Sequence, residues 1–83
     1  MPEDLLWTYC RRICAILRKR INGKIYVNPD ENDIVVDICW RDFQHQCRIG
    51  NMHNLVRDGV SSELLANYVY KSYRESLLKE AFL

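Results

Sequence analysis

From Asp33 to Gly50 the chain reads DIVVDICWRDFQHQCRIG, and a period of two runs through nearly all of it. Ile34, Val36, Ile38 and Trp40 alternate with Val35, Asp37, Cys39 and Arg41, the pattern of a half-buried strand. The phase changes at Arg41-Asp42. Beyond it Phe43, His45, Cys47 and Ile49 alternate with Gln44, Gln46 and Arg48. Two strands joined by a tight turn are therefore predicted. Their β-branched and aromatic residues form one apolar face, which another layer must cover.

The flanking sequence supplies that layer. A helix is predicted from Asp4 to Ile21, with Asp4 as cap, Asn22-Gly23 as stop, and Gly23 left-handed. Arg18, Lys19 and Arg20 fall in its last turn, near the exposed carbonyls. Leu6, Cys10, Ile13, Cys14, Leu17 and Ile21 form its buried stripe, widened by Leu5, Tyr9 and Ile16. A short strand follows over Lys24–Asn28, with Ile25 and Val27 inward and Tyr26 outward, and Asn28-Pro29-Asp30-Glu31-Asn32 reads as a turn. Between Asn51 and Gly59 the pattern allows one helical turn or a loop. Ser61 then caps a second long helix, with Val60 set to pack on Leu65, and the helix continues to Ala81. Leu65, Ala66, Val69, Tyr73, Leu77 and Ala81 make its main face, while Leu64, Tyr68, Leu78 and Phe82 form a separate strip.

The expected fold is α+β: a three-stranded antiparallel sheet with two helices on one face, in the order α-β-β-β-α. Tyr26, Val35, Asp37, Cys39, Arg41, Gln44, Gln46 and Arg48 are left on the uncovered face. The whole chain, residues 1–83, reads as a single domain near the lower size limit for a core without staples. An apolar content of 48% and a charged content of 28% are globular values.

A net charge of +1 gives no bulk electrostatic reason to expect a nucleic acid or a membrane as partner. No apolar run reaches the length of a membrane span, and the first residues lack a signal-peptide layout, so a cytoplasmic protein is expected. In that compartment Cys10, Cys14, Cys39 and Cys47 are expected as thiols, with Cys39 and Cys47 on opposite faces of the sheet.

Four constellations could carry chemistry. Cys10 and Cys14 stand one helical turn apart, and His45 and Cys47 share the apolar side of a strand, so the four could converge on zinc. They lack the Cys-x-x-Cys spacing of ribbons and fingers, and small core hydrophobes with a marginal histidine are the expected role. No metal or cofactor is therefore expected. His45 and His53 have no sequence-local nucleophile or carboxylate partner, only three glycines are present, and so small a fold offers little room for a pocket. The chain is accordingly expected not to be an enzyme.

Arg11, Arg12, Arg18 and Lys19, extended by Lys24, could neutralise phosphates from one face of the first helix. The α-β-β-β-α order resembles that of the double-stranded RNA-binding domain, which implies a nucleic-acid partner. That family carries Gly-Pro-x-His between its first two strands and Lys-Lys-x-Ala-Lys at its last helix. Here the corresponding segments are Asn28-Pro29-Asp30-Glu31-Asn32-Asp33 and Ser61-Ser62-Glu63-Leu64-Leu65.

Leu64, Tyr68, Leu78 and Phe82 offer a different function. One sheet face buries a single strip of the last helix well, so these four are candidates for a protein interface, including a homodimer. The alternative is that the two helices consume both strips between them. The run IVVDICWRDFQHQCRIG, the polar loop after it and the closing helix rich in tyrosine, leucine and lysine resemble small uncharacterised proteins encoded in phages and prophages of bacteria. The resemblance covers residues 24–82 and implies an intracellular accessory protein without an assigned site.

Overall fold

The computed structural model describes residues 3–82. The elements run α1 (Glu3–Arg18), β1 (Lys24–Asp30), β2 (Asp33–Trp40), β3 (Phe43–Ile49), α2 (Met52–Arg57) and α3 (Ser62–Phe82). The three strands form one antiparallel sheet in the order β1-β2-β3. This is the α+β arrangement that the alternation predicts, with one short helix added.

Register follows from burial. Val36 stands opposite Val27 and Cys47, and Ile38 opposite Ile25 and His45. A one-residue slip of β2 would send Ile34, Val36 and Ile38, all fully buried, to the wet face. The far side carries Tyr26, Asp37, Gln44, Gln46 and Arg48, with Gln46 donating to Asp37 Oδ1 at 3.0 Å. On the covered side α1 lies over β1 and against α3, while α3 lies over β3. Leu6, Cys10, Ile13 and Leu17 of α1 meet Leu65, Ala66, Val69 and Tyr73 of α3 in one core above the central strand.

Several boundaries differ from the sequence reading, each for a physical reason. Among the described residues the first helix runs from Glu3, so Asp4 lies within it, and its carbonyl accepts from Thr8 Oγ1 at 2.9 Å. It ends at Arg18. Arg20 and Ile21 both donate to the Leu17 carbonyl, at 3.0 and 2.8 Å, so the last turn tightens while Ile21 still reaches the core. Gly23 is not left-handed; a Cβ there would stand 2.5 Å from the Cys39 carbonyl oxygen, so close backbone approach is what demands glycine. The left-handed glycine is Gly59, at φ 78°, between α2 and α3.

The first strand runs through Pro29 to Asp30, leaving Glu31-Asn32 as the whole turn. Pro29 lacks an N–H for the ladder, and an edge strand tolerates that loss. Glu31 and Arg41 each open their two-residue turns at positive φ, 57° and 55°. The segment left open between helix and loop contains α2, whose Met52 is fully buried against the core.

Candidate functional site

Helix α3 is apolar on two sides. Its inner side, Leu65, Ala66, Val69 and Tyr73, belongs to the core. Its start is fixed by Ser61, whose Oγ accepts the Leu64 N–H at 3.2 Å, a cap that satisfies one otherwise orphaned donor. The outer side begins in that same first turn, at Leu64. Leu64, Tyr68, Leu78 and Phe82 are 60, 57, 50 and 85% exposed. The α1–α3 contact therefore leaves this strip uncovered.

The flank of α1 is consumed differently. Tyr9 and Ile16 pack on the core, and the Tyr9 hydroxyl donates to the Val60 carbonyl at 3.2 Å. Beside the start of the outer strip, Leu64 and Tyr68 share a surface cleft of about 400 Å³ with Ile49, Leu55 and Val60. At the other end, Leu77 and Ala81 face Trp40 and Phe43 across a cleft of about 280 Å³. A cleft of about 490 Å³ by Gly23, Lys24 and Cys39 adjoins it, sharing Trp40 and Arg41. Space is thus greater than the chain length suggests, but it lies in surface grooves.

The basic residues of α1 are all exposed, and the structure splits them. Arg11 and Arg18 line a groove with Trp7 and Val27 on the β1 flank, whereas Arg12 lies with Ile16 and Glu63 on the α3 flank. Lys24 opens β1, beside Cys39 and Trp40. The β1–β2 turn presents carboxylates instead of a basic or histidine-bearing loop. Arg48 binds Asp30 at 2.6 Å and Asp33 at 2.7 Å there.

The four candidate zinc ligands separate into two pairs. Cys10 is buried in the α1 stripe, and desolvation pushes its thiol up to about 11. Cys14 donates to the Ile25 carbonyl at 3.9 Å over β1. His45 and Cys47 lie under α3 at Ser72, with His45 Nε2 3.0 Å from Ser72 Oγ. Among the described residues no group of three potential ligands is close enough to hold a metal ion.

Ser72 is the partner of His45 that local sequence could not reveal, because it comes from α3. Its spacing of three from Val69 was the available signal. The pair has the separation of a nucleophile and its base, but Ser72 sits in mid-helix, where neighbouring amides are committed to helical hydrogen bonds. Burial lowers the His45 pKa from 6.5 and raises that of Cys47, against which the Ser72 hydrogen bond acts. His45 also stacks on Phe43, centroids 6.5 Å apart, and meets Tyr73 edge-on at 6.3 Å. Its contacts are those of a packed core margin.

A second feature missed in sequence is a cation stack at the α1–α3 seam. Arg20 hydrogen-bonds Asn67 and lies 5.6 Å from the Tyr70 centroid, and Arg74 lies 5.8 Å from the same ring. No helix among the described residues is long and apolar enough to cross a membrane. Comparison with protein-family models, with curated proteins and with solved structures gave no match.

Proposed function

We propose that this chain is a small non-catalytic interaction module, working inside the cell and associating with itself through the outer strip of α3. The observation that carries this reading is the exposure of Leu64, Tyr68, Leu78 and Phe82 on one helix whose opposite side is already spent on the core. Four large apolar side chains left in water along a single stripe favour burial against another protein surface. Tyrosine and phenylalanine are also enriched at such contacts.

The test is light scattering over a concentration series, with wild type beside a Tyr68→Ser/Leu78→Ser double variant. A concentration-dependent dimer that the variant abolishes supports the reading. A wild-type protein monomeric at every concentration, or a variant that still dimerises, refutes it. Both positions are exposed, so circular dichroism is expected to show an unchanged fold.

Nucleic-acid binding through α1 is the second reading, favoured by one observation. Among the described residues Arg11, Arg12, Arg18, Lys19 and Lys24 have no acidic partner in an ion pair. Because Arg12 lies on the opposite flank from Arg11 and Arg18, only part of this set reaches one duplex, and that part predicts binding that weakens with salt. Gel shifts with short RNA and DNA duplexes at rising salt test it, and absence of binding at low salt removes it.

A further inference from the structure

Along α3, Leu64, Tyr68, Lys71, Glu75, Leu78 and Phe82 follow one another at intervals of four, three, four, three and four residues. This is the rhythm of a coiled-coil seam, and all six residues are exposed. The helix is unbroken from Ser62 to Phe82, so the six form one stripe about 27 Å long at 1.5 Å per residue.

The stripe has a further property. It is symmetric about Tyr73: Leu64 and Phe82 lie nine residues to either side, Tyr68 and Leu78 five, and Lys71 and Glu75 two. We propose that it pairs with a second copy of the chain, the two α3 helices lying antiparallel across a two-fold axis at the level of Tyr73. This deepens the self-association reading above and rests on it.

In that pairing each layer is complementary. Leu64 meets the partner's Phe82, Tyr68 meets the partner's Leu78, and Lys71 meets the partner's Glu75. Two-fold symmetry then repeats every contact. A parallel pairing would instead set Lys71 against Lys71 and Glu75 against Glu75, which like-charge repulsion disfavours. Within the chain neither Lys71 nor Glu75 forms an ion pair among the described residues, so both charges are available to a partner. A charged pair at the middle of an apolar seam lowers affinity but fixes register and direction. Four apolar side chains per copy place the contact at the small end of specific interfaces, below about 1,200 Å² in total. A dissociation constant on the order of micromolar or weaker is expected for a contact of that size.

The experiment is sedimentation velocity on the full chain, comparing wild type, Lys71→Glu, Glu75→Lys and the Lys71→Glu/Glu75→Lys double variant. The antiparallel pairing predicts that each single substitution weakens dimerisation about tenfold or more, by turning two attractive contacts into repulsive ones. The double variant restores the attraction with the charges exchanged and returns to near wild-type affinity. Helical content by circular dichroism stays constant, because every changed side chain is exposed. A dimer that is lost in Tyr68→Ser/Leu78→Ser but indifferent to the single charge reversals overturns the antiparallel pairing and leaves the interface reading intact. So does a double variant no better than the singles. A wild type monomeric throughout overturns both.

Discussion

Asp33 joins two parts of the chain through two different partners: its Oδ2 accepts from Arg48 Nη1 at 2.7 Å, and its Oδ1 accepts the backbone N–H of Asn51 at 2.9 Å. Next to it, the Asn32 carbonyl accepts the Met52 N–H at 2.8 Å. The first hairpin turn therefore holds the start of α2, and α2 seats Met52 in the core. The Asn51 and Arg48 hydrogen bonds hold the Asp33 carboxyl below its ordinary value of 3.8.

A lowered carboxyl pKa has a defined sign in stability. The unfolded chain takes up the proton first, so the contribution is complete above 3.8 and is lost as pH falls through the lower folded value. Asp33→Asn should lower the melting temperature at pH 7 and narrow the gap to wild type in strong acid. Thermal melts between pH 7 and pH 2 measure it. An equal gap at all pH values would show that the charge is immaterial.

The four thiols should separate by accessibility. Cys10 and Cys47 are buried, and burial raises both their pKa values, so both disfavour the reactive thiolate. Iodoacetamide at pH 8 followed by peptide mass mapping should modify Cys39 and Cys14 in the native protein. Cys10 and Cys47 should react only after denaturation. Native labelling of Cys10 at a rate like that of Cys39 would contradict the packing of α1.

Glu31 occupies a left-handed conformation, φ 57°, that costs a side-chain-bearing residue about 1–2 kcal/mol. Glycine adopts it freely. Glu31→Gly should therefore stabilise the protein by roughly 0.5–1 kcal/mol, less than the full strain because glycine also loosens the unfolded chain. The companion change Gly23→Ala should destabilise by about 1–3 kcal/mol, since its Cβ would press on the Cys39 carbonyl. Urea titrations of both variants report the opposite signs directly.

The sheet was legible because its signal is local and redundant. Ile34, Val36 and Ile38 on one strand and Cys47 and Ile49 on the next specify the same face, so one register satisfies all of them. The α2 segment was not legible, because six residues cannot hold a helix alone. Its start is set by Asp33 and Asn32, eighteen and twenty residues upstream of their partners. Pro29 misled for a related reason: its turn propensity is local, whereas its place on an edge strand is a property of the whole sheet. For the candidate site, the spacing of Leu64, Tyr68, Leu78 and Phe82 marked the strip. Whether α1 covered it depended on the direction from which α1 approaches α3, which periodicity does not encode.

His45 offers an acid response in a separate pH window. Burial beside Phe43, Tyr73 and Ser72 disfavours the imidazolium and lowers its pKa from 6.5. The unfolded chain binds this proton more readily than the folded one. Stability is therefore intact above 6.5 and declines as pH falls from there to the lowered folded value, below which this contribution stops changing. Desolvation is the cause of the shift, so burial sets its direction. His45→Gln can keep a hydrogen bond to Ser72 without titrating, and should flatten the stability profile between pH 7 and pH 5 while leaving the Asp33-dependent fall in stronger acid. Urea unfolding at half-unit pH steps resolves the two windows. A variant whose profile still slopes like wild type between pH 7 and pH 5 would assign that slope to another group and remove His45 as its source.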